Sequence, residues 1–234
     1  MPSASPYRQL DEARILATLA RLRARIAERF PTSSLARVAD DLLDLGNQTA
    51  AFIEYSRRPH WPIRVGVGLA IAAMAVVLYA GLHSVRIAVG VAGVAEFVQA
   101  MDAAVSLLVF LGATVFFLVT LESRLKRHKT LTALHQLRSI AHIVDMHQLT
   151  KDPERVASPQ HDTASSPERT LTAPQLGRYL DYCSELLSLI SKIAALHVEH
   201  FNDPVVLGAV NEIESLTSSL SGKIWQKITL LDRG

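Results

Sequence analysis

Two uncharged apolar runs, residues 65–82 and 103–121, constrain this chain more than anything else in it. Each is about as long as one helix needs to be to cross a hydrocarbon core roughly 30 Å thick. The sequence therefore predicts an all-α membrane protein. Its two-helix transmembrane hairpin would span residues 60–121, with a short external segment at 84–102, and would carry a cytoplasmic helical bundle. The rest of the chain must account for much of its 234 residues, because 20% are charged even though 49% are hydrophobic. That balance fits a membrane part joined to water-exposed helices.

Charge flanking the runs sets an orientation. Arg57, Arg58 and Arg64 precede the first run and Arg124, Lys126, Arg127 and Lys129 follow the second, whereas the segment between them holds Arg86 against Glu96 and Asp102. By the positive-inside rule both termini are expected in the cytoplasm, and the Ala, Leu and Arg bias suggests a bacterial inner membrane. Trp61, Arg64, Arg124, Lys126, Arg127 and Lys129 are the expected membrane-interface residues, with membrane lipid as a partner. Neither run holds an Asp, Glu, Lys, Arg or His, which argues against a proton relay or a transporter. Gly68, Ala72, Ala75 and Tyr79 share one face of the first run, a small-residue surface suited to close helix packing, with Gly112 available on the second.

Outside the runs the pattern is helical. Leu10, Ile15, Leu16, Leu19, Leu22 and Ile26 recur at 3/4 spacing up to Pro31. Leu35, Val38, Leu42, Leu45, Phe52 and Ile53 continue the pattern, giving a helical hairpin over residues 1–59. No breaker stands between Glu122 and Thr150, so the second span is expected to continue as a stalk helix over 122–152. Residues 153–174, rich in Pro, Ser, Thr and charge, read as a linker. A second hairpin follows over 175–231. Its first helix carries Leu176, Tyr179, Leu180, Cys183, Leu186, Leu187, Ile190, Ile193, Ala194 and Val198. After the break at Asn202, Asp203 is a candidate N-cap with Pro204 at the first helical position. The second helix then carries Val206, Val210, Ile213, Leu216, Leu220, Ile224 and Ile228. None of these helices can bury its stripe alone, so a bundle is required.

Chemistry is concentrated in the stalk. His135, Arg138, His142 and Asp145 fall on one helical stripe beside the apolar face of Leu134, Leu137, Ala141 and Val144, and they form the candidate ligand-binding set. His142 and Asp145, one turn apart, could share a divalent ion, or Asp145 could orient the imidazole while Arg138 holds a phosphate. Two ligands do not close a metal site, and no HExxH is present. The plainer reading is a local hydrogen bond or a contact with a neighbouring helix, so no catalytic residue, metal or cofactor is assigned. His197 and His200 read as helix-end residues that complement the dipole. Trp225 reads as a packing or partner contact, and Cys183, the one cysteine, as a small buried hydrophobe.

No Walker sequence, GxSxG or CxxC occurs, which leaves nucleotide hydrolysis, serine hydrolysis and dithiol redox unsupported. A formal charge of +2 with no basic patch excludes nucleic acid as a partner. The expected function is a membrane anchor, scaffold or signalling protein that oligomerises or recruits a protein through its helices. Two alternatives come from other classes. One is a small oligomeric channel lined by Ser106, Thr114 and Thr120; the other is a metal- or phosphate-dependent enzyme using the stalk stripe.

Overall fold

The computed structural model describes residues 9–57, 61–88, 94–151, 171–200 and 202–231, and their regular structure is entirely helical. In chain order the helices are α1 (Glu12–Arg29), α2 (Ser34–Arg57), α3 (Trp61–Ala88), α4 (Val94–Leu149), α5 (Ala173–His200) and α6 (Pro204–Leu231). The chain divides into two units, one of residues 1–57 and 129–234, the other of residues 58–128. The expected linker falls almost wholly on 152–170, outside the described residues.

The first unit is a helical bundle built on α5. Leu176, Tyr179, Leu180, Tyr182, Cys183, Leu186, Leu187, Leu189, Ile190, Ile193, Ala194 and Leu196 are all buried, so this helix is covered on nearly every side. The 3/4 stripes of its neighbours meet it: Ile15, Leu19, Leu22 and Ile26 from α1, Leu35, Val38, Leu42, Leu45 and Ile53 from α2, and Val206, Val210, Ile213, Leu220 and Ile224 from α6. The segment expected as a stalk adds Leu134, Leu137, Ala141 and Val144 to the same core. Each large side chain removed from water in this way stabilises the bundle by about 1.5–3 kcal/mol before entropy is counted. Gly46 marks the closest approach of α2 to its neighbours. A Cβ there would stand 2.6 Å from Leu16 Cδ2 and 3.4 Å from Ile193 Cδ1, so a larger residue would require the end of the Leu16 side chain to move.

Cross-helix contacts fix the directions within this unit. Leu10 N–H donates to Glu199 Oε1 and Arg25 pairs with Glu185, so α1 runs antiparallel to α5. Thr49 on α2 lies beside His197 near the end of α5. Arg138 bonds to Glu212, and Lys227 donates to the backbone carbonyls of Gln148 and Lys151, so α4 runs parallel to α6. It follows that α2 ends, and α4 enters this unit, at the end where α5 passes into α6. That far connection is closed by a cap. Asp203 accepts from the N–H groups of Val205 at 2.9 Å and Val206 at 3.2 Å, with Pro204 occupying the first helical position, where no N–H is needed. Asp203→Ala is expected to cost about 1–2 kcal/mol, read as a lower urea midpoint with unchanged helicity. An unaltered midpoint would show that α6 starts without the cap.

His197 departs from its expected role. The sequence suggests a helix-end imidazolium that complements the helix dipole. In the fold, α2 covers the last turn of α5, and His197 is buried with Nε2 3.4 Å from Thr49 Oγ1.

In the second unit, α3 and the part of α4 up to His128 carry the two apolar runs. Among the described residues no helix is long and apolar enough to cross a membrane. The transmembrane hairpin expected from the sequence is thus not found as spans there. The small-residue face is open as well: a Cβ at Gly68 or Gly112 would meet nothing within 4 Å, and Tyr79 stacks on His83 while remaining 72% exposed.

Candidate functional site

The stripe singled out in the sequence does lie on one continuous helix, but its members do not converge. Arg138 forms an exposed ion pair with Glu212 of α6, its Nη1 3.0 Å from Oε2. Asp145 accepts from Gln148 Nε2 at 2.6 Å rather than from His142. His135 and His142 are exposed, and the Ser139 hydroxyl donates to the His135 backbone carbonyl at 3.0 Å. Among the described residues no three His, Cys, Asp or Glu side chains group to hold a metal. The four residues thus make a local hydrogen bond and an interhelical contact. Exposed pairs such as Arg138–Glu212 contribute little to stability in water.

A polar cluster that sequence reasoning missed sits where α4 ends. Lys227 reaches from α6 to the Gln148 carbonyl at 2.8 Å and the Lys151 carbonyl at 3.2 Å, closing the C-terminus of α4 with a cation, where the helix dipole favours one. Lys151 in turn lies over the Tyr179 ring, 5.6 Å from its centroid. Phe30 packs edge-on against Tyr179 and Tyr182. Burial pushes the Cys183 thiol up to about 12, against the opposing pull of Lys227 and Lys151. Burial likewise raises Tyr179 to about 12, Cys183 adding to it and a Ser33 hydrogen bond opposing. His147 is held below its ordinary value by burial first, then by Lys151 and Arg37. No signal in the sequence links Lys227 to residues 148–151, because the pairing spans most of the bundle-forming C-terminal half.

This cluster predicts alkaline sensitivity. An unfolded chain releases the thiol proton near 9, whereas the folded bundle keeps it until about 12. The folded state therefore binds more protons in that window, and stability that is complete below pH 9 is lost progressively as pH rises toward 12. Tyr179 adds to the loss above pH 10. The urea midpoint should fall between pH 8 and 10.5, and fall less steeply for Cys183→Ala. Identical slopes in the two proteins would remove Cys183 from this account.

A shallow groove of about 320 Å³ runs between α1 and α5, lined by Arg14, Ile15, Thr18, Glu185, Leu189 and Lys192. Its charges are already engaged: Arg14 with Asp11, Glu185 with Arg25, and Lys192 with the Ser188 hydroxyl. Nothing in it converges on a ligand.

The largest anomaly is apolar and lies in the second unit. Among its described residues no side chain is buried. Val65, Leu69, Ile71, Val76, Leu78 and Tyr79 are exposed on α3, and on α4 so are Val98, Met101, Val105, Leu107, Val109, Phe110, Phe116 and Phe117, with Phe110 reaching 74%. At 100° per residue the α4 positions point to at least three sides of the helix. A water-facing helix would confine such residues to a single stripe. Of the expected interface residues, Arg124 and Lys129 are exposed and Lys126 and Arg127 partly covered, while the side chains of Trp61 and Arg64 lie outside the described residues. Two of the three hydroxyls expected to line a channel turn back on their own helix: Thr114 donates to the Phe110 carbonyl at 2.8 Å and Thr120 to that of Phe116 at 2.9 Å. Comparison with protein-family models, with curated proteins and with solved structures finds no match to this chain.

Proposed function

We propose that this chain is an integral membrane anchor that holds a helical bundle at the membrane surface, where the bundle oligomerises or recruits a protein partner. The observation that carries the reading is the set of exposed large apolar side chains on α3 and the first part of α4, in contrast to the first unit, where the helical stripes supply a buried core. Exposed apolar area of this extent is rare on a monomer and marks an interaction surface. Because the side chains on α4 point to several sides, one docked helix or groove would leave part of them in water. A hydrocarbon medium covers all sides at once.

Sequence beyond the described side chains fits the same reading. The uncharged runs extend to residues 82 and 121, long enough for helical spans. Basic residues flank them on the sides that place both termini in the cytoplasm, for which a bacterial inner membrane is the expected site. The bundle is joined to these helices through α2 and α4.

The test is alkaline carbonate extraction of membranes from bacteria expressing the full chain, together with a reporter fused at the C-terminus. Retention in the pellet with a cytoplasmic reporter supports the anchor. Release into the supernatant, or an external reporter, overturns it. Neither the channel nor the enzyme reading gains an observation of its own, since Thr114 and Thr120 spend their hydroxyls on their own helix and the stalk stripe holds no closed site.

A further inference from the structure

Within the bundle, one side of α4 lacks the charge that the neighbouring helices show to water. There α1 exposes Arg14, Arg21 and Arg25, α2 Asp41 and Asp44, α5 Lys192, and α6 Glu212 and Lys223. On α4, the side turned away from the buried Leu134, Leu137, Ala141 and Val144 carries Thr132, His135, Ser139, His142, Met146 and Leu149. All six are exposed, and none is Asp, Glu, Lys or Arg. Met146 and Leu149 are 66% and 62% exposed, with Ile143 beside them at 43%. Arg138 and Asp145 stand on one edge of this face, engaged by Glu212 and Gln148. Trp225 on α6 is about as exposed, but it stands singly among Lys223, Gln226 and Lys227. Depletion of charge and the presence of Met mark the core of an interface rather than a solvated surface.

We infer that this face of α4 docks the same face of a second copy of the chain, the two helices packing side by side about a twofold axis; the inference deepens the oligomerisation proposed above by naming its contact. Spacing chooses the occupant. Thr132, Ser139 and Met146 recur every seven residues, and so do His135, His142 and Leu149. Together they make the 3.5-residue repeat that keeps one helix seated along another of the same repeat. A second α4 carries that repeat by identity, and a twofold contact asks for nothing beyond one self-complementary patch. Charge makes the same choice. A face without Lys, Arg, Asp or Glu meets its own copy without repulsion, whereas the arginines of α1 or the aspartates of α2 would oppose theirs.

The face is also large enough. From Thr132 to Leu149 it is about 27 Å long at 1.5 Å per residue. Its exposed side chains present on the order of 600 Å² on each copy, so pairing removes about 1,200 Å² in all, the lower edge of what specific, stable interfaces bury. Thr132 and Ser139 are small enough to let two backbones approach, and Met146 adapts its shape to what it meets. Covering Ser139 orphans no hydroxyl, since it already donates to the His135 carbonyl.

The test is sedimentation of the full chain in detergent over a range of protein concentrations. A monomer-dimer equilibrium is expected. Met146→Glu combined with Leu149→Glu should raise its dissociation constant about tenfold or more, because carboxylates would then enter an apolar seam, and Trp225→Glu should leave it unchanged. Wild type that is monomeric throughout, or a dimer that survives the double substitution, would overturn the inference. Disulfide trapping supplies a second readout that does not depend on how the double variant folds. Ser139 and His142 flank the midpoint of the face, so each lies near its counterpart whichever way the second helix runs. Ser139→Cys or His142→Cys should therefore yield a crosslinked dimer on mild oxidation, while Arg21→Cys and Trp225→Cys, on other faces, should not. The native Cys183 is fully buried and does not compete. Crosslinking at none of the four sites, or equally at all, counts against the contact. Carbonate-resistant retention without a dimer would remove the contact and leave the anchor standing; release from the membrane with the dimer intact would do the reverse.

Discussion

Ile190→Ala should be among the most destabilising single substitutions in the bundle, lowering its stability by about 2–5 kcal/mol. Ile190 is fully buried at the middle of α5, the helix that α1, α2 and α6 all pack against. Removing its outer carbons leaves a cavity bounded by side chains from several helices, none of which can collapse into it without losing contacts elsewhere. The expected readout is a clear fall in the urea midpoint of the far-ultraviolet helical signal, measured on detergent-purified protein, with little effect from the exposed control Leu230→Ala. Similar midpoints for the two variants would mean that α5 is not the hub of the core.

Val76→Asp combined with Val109→Asp should abolish carbonate-resistant retention of the chain. Both side chains are exposed, one on each apolar helix. On the translocon scale an aspartate near the middle of a span costs about 2.5–3.5 kcal/mol, so the pair opposes insertion by about 5–7 kcal/mol. The same substitutions on helices bathed in water would be close to neutral, since surface changes away from special features stay within about 0.5 kcal/mol. The two environments therefore predict opposite results from one pair of variants. Retention unchanged from wild type would place these helices outside the hydrocarbon core.

The helical stripes were legible because burial in a bundle follows the 3/4 period. Leu19, Leu22, Ile26, Leu42, Leu186 and Ile213 are buried where that period places them. The Asp203-Pro204 start of α6 was legible for a different reason, since capping is a local contract between neighbouring residues. What the sequence hid depends on which helix covers which. His197 looks like any histidine near a helix end until α2 covers it. Thr217, not Leu216, takes the buried position on α6, because its hydroxyl can donate to the Ile213 carbonyl and its methyl then packs as an apolar group. The stalk stripe was legible in part. Spacing correctly puts Arg138, His142 and Asp145 on one side of α4, but spacing cannot say that Glu212 and Gln148 will engage two of them. Trp225 reads as a packing or partner contact, and its side chain is 61% exposed.

The contacts that close the bundle join residues made at opposite ends of synthesis. Leu10 meets Glu199 and Arg25 meets Glu185, separations of 189 and 160 positions. The first hairpin must therefore wait for α5, with Leu19, Leu22, Leu35 and Leu42 uncovered, while more than a hundred further residues are translated, on the order of 10 s at about 5–20 residues per second. During that interval the nascent chain holds a bare apolar stripe on one hairpin and is threading two apolar helices behind it. A message truncated before residue 173 would lack the helix against which the first hairpin packs, so the ribosome's completion of α5 is the event that lets that hairpin close into the core.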